Sequence, residues 1–283
     1  MPGSRPMVTL TTDFGYSDPY VAVIKGVLFR INPDILLVDL THDVEPQNII
    51  QAAFLLHSSY RFFAGDTIHL AIVDPGVGSS RKAVMLETPF GRFIGPDNGL
   101  FTFVLRDFGA EANAHDNPRV SLPSGCNAFD IVNSHLWLNP PSATFHGRDI
   151  FAPVTAQLSL GVSPLELGRK MSNLMSVNVT TPCWDKNDLL GSVVHIDRFG
   201  NLITNISSQL LEVDQHIEVL VRDECISGLN MYYSQRKGLM ALISSYNTLE
   251  IAIGGGNAAE TLGVGFGEQV RVRRRTGIAS LRG

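Results

Sequence analysis

The sequence is poor in the residues that would tie it to an oxidising compartment, a polyanion or a membrane. Only three of its 283 residues are cysteines, Cys126, Cys183 and Cys225. They stand far apart with no metal-like or redox-like pairing, so they imply no disulfide framework and fit a reducing cytosol. Charged residues are 17% of the chain and the net charge is −5, which gives no electrostatic reason to expect nucleic acid. The arginines near the end, Arg271, Arg273, Arg274, Arg275 and Arg282, lack interleaved aromatics and read as a solvated terminus. No stretch approaches the roughly 20 apolar residues of a membrane span, and Met1-Pro2-Gly3-Ser4-Arg5-Pro6 has no apolar signal core. Internal repeats and low-complexity tracts are absent from the pattern. A cytoplasmic protein with no membrane and no nucleic-acid partner is expected.

What the chain does have is enough apolar residue, 44%, to bury a full core. The run Thr67-Ile68-His69-Leu70-Ala71-Ile72-Val73 predicts a buried strand, and Asp74-Pro75-Gly76-Val77-Gly78-Ser79-Ser80-Arg81 closes it with a tight loop. Asp74 then stands at the carboxyl end of a strand, where open α/β sheets hold their ligands. An ion pair with Arg81 would keep a carboxylate there even when substrate excludes water. Taken alone, Asp74 is better explained as a turn-capping residue.

Around that strand the pattern alternates. Met7 to Leu10 predicts a strand, and Ser17-Asp18-Pro19 an N-cap with Pro at the first position of a helix running to Asn32. Ile35 to Leu40 predicts a second buried strand, and Pro46 opens a second helix reaching Arg61. Strand, helix, strand, helix, strand implies a parallel sheet with right-handed crossovers, with Asp13 and Asp74 on its carboxyl edge. Lys82 to Glu87 and Arg92 to Gly95 read as two more strands, followed by a short helix to Arg106. From Phe108 to Pro141 no pattern can be traced. Helical spacing returns from Val154 to Leu160 and from Ser163 to Gly168.

From about Leu189 the period is close to two. Segments 191–197, 202–206, 216–222, 238–244, 248–253 and 268–274 predict short strands joined by turns, hence a small antiparallel barrel. Residues 171–187, with Pro182 and little periodicity, read as a linker. The fold expected is an α/β N-terminal domain (1–182), its mainly parallel sheet flanked by helices, followed by a small all-β C-terminal barrel (188–283).

Few residues carry chemistry on their own. His146 lies in a Gly-flanked polar loop beside Arg148 and Asp149. Asp13, His42, Asp43, Asp74, His146 and Asp149 could together ligate a divalent metal, but no pair has helical ligand spacing. Asp97 and Asn98 are accounted for as turn and cap residues. Asp197-Arg198-Phe199-Gly200-Asn201 fits a plain hairpin. Gly254 to Glu260 lacks the Lys-Ser/Thr of a P-loop and sits outside a strand-helix-strand unit.

Thr12-Asp13-Phe14-Gly15, Asp74-Pro75-Gly76-Val77-Gly78 with Arg81, Thr144-Phe145-His146-Gly147-Arg148-Asp149, Ile196-Asp197-Arg198-Phe199-Gly200-Asn201 and Gly256-Asn257-Ala258-Ala259-Glu260, in this order, resemble the S-adenosyl-L-methionine hydroxide adenosyltransferases, relatives of fluorinases and chlorinases. The resemblance spans both domains. It implies a homo-trimer with active sites between the N-domain of one subunit and the barrel of the next, and hydrolysis of S-adenosyl-L-methionine to adenosine and methionine. The family's Asp, Arg, His set falls on Asp74, Arg81 and His146. Asp13 matches the carboxylate on the ribose hydroxyls, and Asp18 and Tyr20 line the methionine end. Asp197 matches the residue receiving the methionine ammonium, and Ser245 one near its carboxylate. Phe199, Asn201 and the backbone of Asn257 and Ala258 match the adenine pocket. Gln47 and Tyr246 depart from the halogenating relatives, which carry an aromatic and an Arg there. Those relatives also carry Tyr at the position of Asp74 and lack the His of His146.

The chemistry agrees with this assignment without a cofactor or metal. A sulfonium leaves as a neutral thioether, so no general acid is needed, only a water aligned behind C5′ and made more nucleophilic. Three other readings remain: a halogenase on the same scaffold, a non-catalytic protein that binds S-adenosylmethionine or a nucleoside, and a metal-dependent hydrolase.

Overall fold

The computed structural model describes residues 5–110, 118–211 and 217–274. The chain divides into two compact units, 1–178 and 179–283.

In the first unit, a seven-stranded sheet is built from β1 (Met7–Thr12), β2 (Leu36–Thr41), β3 (Ile68–Ile72), β4 (Ala83–Thr88), β5 (Gly91–Pro96), β7 (Asn127–Ile131) and β8 (Gly168–Met171). Its order is β2-β1-β3-β5-β4-β7-β8. The strands from β2 to β5 pair in parallel, and those from β5 to β8 antiparallel, so the sheet is mixed. β6 (Arg119–Ser121) and β9 (Asn173–Met175) form a separate two-stranded ribbon.

Central β3 shows why both faces must be covered. Alternate residues Ile68, Leu70 and Ile72 pack with Ile24 and Leu28 of α1 (Tyr20–Ile31) and Val154 and Leu158 of α4 (Ala152–Ser159). Ala71 and Val73 pack on the other face with Ala52 and Leu56 of α2 (Ile49–Tyr60) and Val104 of α3 (Thr102–Arg106). A strand buried at every position is stable only between two such layers. The last helix of this unit, α5 (Pro164–Leu167), starts with a capping box between Ser163 and Glu166.

Several local expectations change. Ile35 is buried, but β2 is the sheet's edge strand and Leu36 is exposed, so it is not a buried strand. Pro19 occupies the cap position of α1, and no side chain caps that helix, because Ser17 and Asp18 lie before it. Pro46 does not open α2. Asn48 does, accepting a hydrogen bond from the Gln51 backbone, after Gln47 turns the chain with φ +67°. The untraced stretch contains β6 and β7, too short and too closely bounded by turns to show a period. Within 171–187, read as linker, β9 pairs with β6, and β10 (Cys183–Asp185) pairs with β11 (Asp188–Ile196).

The second unit is an antiparallel sheet coiled into a nearly closed barrel. It uses β11, β12 (Leu202–Ser207), β13 (Ile217–Val221), β14 (Glu224–Ser227), β15 (Gly238–Ile243), β16 (Thr248–Gly254) and β17 (Gln269–Arg274), in the order β14-β13-β17-β11-β12-β16-β15. Past the end of β14, Asn230 bridges to Leu242 of β15, bringing the two ends of the ladder together. β11 pairs with β17 through Ser192 and with β12 from Val193, the point where the sheet bends. Val193, Leu202, Val219, Ile251 and Val270 fill the interior. His216, expected in a strand, lies outside the described residues, as do Arg275 and Arg282. Arg271 and Arg273 are not a solvated tail: both belong to β17 and pair with Asp188 across the sheet. The helix α6 (Ala258–Leu262) follows β16.

Candidate active site

β3 delivers Asp74. Beyond it, the carbonyl of Asp74 accepts from the Val77 amide and that of Gly76 from the Ser79 amide and hydroxyl, which folds the loop back so that Arg81 faces Asp74. Arg81 Nε donates to Asp74 Oδ1 at 2.9 Å, and its Nη2 donates to Oδ2. This forked pair is nearly out of solvent, with side-chain exposures of 10% and 7%, where Coulomb attraction is less screened than at the surface. Gly78 has φ +78°, and a Cβ there would stand 2.4 Å from the carbonyl oxygen of Ala143. Only glycine lets the loop press against the segment that carries His146.

His146 is not in a free loop. It begins a π-helical turn, Gly147–Phe151, that runs into α4. Asp149 holds this segment: it is buried, it pairs with Arg148 at 2.6 Å, and it accepts from the Ser142 amide at 2.8 Å. His146 Nδ1 lies 2.8 Å from Arg81 Nη2. Arginine can only donate, so Nδ1 is the acceptor and the ring proton sits on Nε2. Burial, and next the Arg81 charge, push the His146 pKa below its ordinary value, which favours the neutral ring. One guanidinium thus serves Asp74 and His146 together.

A cavity of about 610 Å³ opens on this network, lined by Asp13, Phe14, Tyr20, Asp74, Phe145 and His146 among others. Phe14, Tyr20 and Phe145 form an aromatic cluster, with ring centroids 5.1 to 6.0 Å apart. Asp13 Oδ2 accepts from the Gln47 amide at 2.8 Å. Its pKa is raised, chiefly by burial, with the nearby Asp74 charge contributing. The left-handed turn at Gln47 aims that amide, which accounts for Gln47 in the lining. Asp18 is exposed and does not line this cavity.

The second unit has a cavity of similar size, about 600 Å³. Asp197, Phe199, Asn201 and Ser245 line it, joined by Tyr233, Tyr246 and Glu250. Asp197 accepts from the Phe199 and Asn201 amides and from Asn201 Nδ2, each at 2.9 Å, so it also shapes its hairpin. Phe199 is left 75% exposed at the mouth. Glu250 is buried and accepts from the Tyr233 hydroxyl at 2.7 Å. Burial raises its pKa and, despite the Tyr233 hydrogen bond, the Asp197 charge adds to the rise. Asn257 caps α6 and packs under Gly200, and Ala258 is in the barrel core, so neither side chain lines the cavity.

The remaining candidates have structural partners. His42 bonds Thr12 Oγ1 at 2.8 Å and lies 3.1 Å from Asp39. Asp97 is more than a turn residue: nearly buried, it accepts from Arg119 and from the Met175 amide, tying the β6–β9 ribbon to the sheet. Asn98 donates to the Val73 carbonyl at 2.8 Å, fixing the backbone next to Asp74. Among the described residues, no group of three or more His, Cys, Asp or Glu is placed to hold a metal ion.

The family model described as SAM hydroxide adenosyltransferase N-terminal domain matches residues 8–168, and the corresponding C-terminal domain matches 191–271. The chain belongs to the SAM hydroxide adenosyltransferase family. It is 36% identical to a Thermus thermophilus protein named (R)-S-adenosyl-L-methionine hydrolase, over 95% of this chain and 99% of that one. It is 27% identical to the fluorinase of Actinopolyspora mzabensis, over 74% of each chain. A crystal structure of an uncharacterized conserved protein from Thermotoga maritima superimposes with a TM-score of 0.84 at 33% identity, covering 95% of this chain and all of that one. The hydrolase and the Thermotoga maritima structure thus match this chain across both units, whereas the fluorinase match covers less of it.

Glu250 and Tyr233 belong to none of the sequence motifs, and Phe145 stands in one, Thr144 to Asp149, without a role of its own. A carboxylate within the apolar strand Thr248-Leu249-Glu250-Ile251-Ala252-Ile253 is a readable signal for the first. The tyrosine gives none, since aromatics near strands and turns are ordinary core residues.

Proposed function

We propose that the protein hydrolyses S-adenosyl-L-methionine to adenosine and L-methionine. The observation that carries this reading is the Asp74–Arg81–His146 network at the wall of a cavity with a second carboxylate, Asp13, and three aromatic rings. The named hydrolase relatives support it over nearly the full chain.

Water attacks C5′ from the side opposite sulfur in a single displacement. The new C5′–O bond forms as the C5′–S bond breaks, and the electron pair leaves on sulfur, which becomes the neutral thioether of methionine. Asp74 orients the water and accepts its proton. Arg81 holds the Asp74 carboxylate in place and fixes the neutral tautomer of His146, whose Nε2–H steadies the attacking oxygen as a donor. His146 therefore positions the water and does not take its proton.

Asp13 takes the ribose hydroxyls and Tyr20 packs near the methionine chain. Asp197 receives the ammonium, Ser245 lies near the carboxylate, and Phe199, Asn201 and the backbone at Asn257 and Ala258 hold the adenine. Asp18, exposed and outside the cavity lining, is assigned to the solvent side of the methionine end. The two sets of residues belong to different units, and we place complete sites at the subunit interfaces of a homo-trimer. The cysteines are all free, which supports a cytoplasmic location. No helix among the described residues is long and apolar enough to cross a membrane.

The test is to incubate purified protein with S-adenosylmethionine and separate the products by chromatography, with and without a chelator and with molar sodium chloride. Adenosine and methionine are expected under all three conditions. A 5′-chloronucleoside in comparable amount would favour the halogenase reading, and loss of activity with chelator would favour a metal enzyme.

A further inference from the structure

A second cavity of the first unit, about 330 Å³, adjoins the same network, lined by Arg81, Lys82, Asp130, Val132, Trp137 and His146 among others. The network therefore divides between two spaces. Asp74 lines only the front cavity, Arg81 only the rear one, and His146 both. The rear lining is polar on several sides. Lys82 and Asp130 pair at 2.9 Å. The indole N–H of Trp137 is buried and has no protein partner among the described residues. A buried N–H of this kind is ordinarily satisfied by ordered water. At roughly 30 Å³ per molecule in the liquid, the rear space has room for about ten waters. Its mouth carries Val132, 49% exposed, and Lys82, with half its side chain in solvent.

We infer that this rear cavity is the water supply of the hydrolytic site, with water passing the His146 ring to reach Asp74 while substrate fills the front. The inference rests on the hydrolase reading above. A front cavity closed by a nucleoside and its amino-acid tail excludes bulk solvent, yet each turnover consumes one water and releases one proton. The water oxygen becomes the 5′-hydroxyl, its proton goes to Asp74, and Asp74 releases it through the rear waters to bulk solvent, so that the carboxylate is free and the next water arriving from behind is neutral. The Trp137 N–H and the Lys82–Asp130 pair hold the waiting molecules, and His146 hands one forward.

The test uses the full chain with substitutions at the rear wall and mouth. V132W narrows the mouth without touching the catalytic side chains, and W137F removes the N–H while keeping the ring. We expect V132W to lower kcat at least tenfold and W137F several-fold, each with KM within about twofold of wild type. L160W, a tryptophan at an equally exposed site elsewhere on the unit, should leave both constants unchanged. Thermal melting checks that each variant is folded, and W137F decides if V132W is not. Wild-type turnover with full-rate W137F and V132W would overturn the rear supply alone. A wild-type protein that releases no adenosine would overturn the hydrolase reading and this inference with it.

Discussion

The two large cavities are nearly equal in volume and opposite in construction. In the first unit the polar groups lock one another: Asp74, Arg81 and His146 are joined by three hydrogen bonds, and Asp13 by one to the Gln47 amide. In the second, Glu250 is tied to one phenol, Asp197 is committed to its hairpin, and Phe199 stands largely in solvent. A preorganised charge network suits bond making, because it costs no reorganisation as charge shifts. A wall of phenols, carboxylates and one exposed ring suits the recognition of a cationic, aromatic ligand. Under the proposed function, the first cavity does the chemistry and the second serves recognition.

Kinetic constants can break that division. Asp74→Asn should lower kcat by on the order of 10² or more with little change in KM, because it removes the proton acceptor. Equal loss of kcat in Asp197→Ala would erase the distinction. Arg81→Lys should lower kcat by roughly tenfold or more, since an ammonium keeps the charge but not the fork that serves Asp74 and His146. Asp13→Ala should act mainly on KM, raising it about ten- to a hundredfold, the ordinary worth of charged hydrogen bonds present in ground and transition states alike. The acid limb of the kcat profile should lie below pH 6.5: the His146 pKa is lowered, and once protonated its Nδ1 can no longer accept from Arg81.

Stability offers a smaller contrast within the first unit. His69 is fully buried, with Nδ1 2.8 Å from Thr9 Oγ1 and its ring stacked on Phe93. Burial lowers its pKa to about 4. The unfolded chain takes up a proton near pH 6.5 and the folded one only near 4, so this stabilisation is complete above pH 6.5 and declines between those values. The loss amounts to roughly 3 kcal/mol. Denaturation of His69→Gln followed from pH 7 to pH 4 should show a flatter decline than wild type. An unchanged slope would mean that another group carries the acid sensitivity.

Much of this was legible in the sequence, and the exceptions have physical causes. The order of strands and helices followed from periodicity, and Asp74 with Arg81 from a strand that ends in a glycine-rich loop. His146 was visible as a residue but not as the start of a helix, because a π-helical turn has no simple period. The β6–β9 ribbon was hidden because three-residue strands are too short to alternate, and what fixes them is Asp97, a residue already explained as a turn. The barrel's last strand was expected, but its arginines Arg271 and Arg273 were read as solvated, since they are paired by Asp188, some 80 positions away. Pairing at that distance leaves no local trace.

The most direct test of the account follows the oxygen. Wild-type protein and S-adenosylmethionine are incubated in water enriched in ¹⁸O, and the released adenosine is analysed by mass spectrometry. Attack by water at C5′ predicts one ¹⁸O per adenosine, located on the 5′-carbon, with methionine unlabelled. Adenosine without the label, or label in methionine instead, would contradict the account.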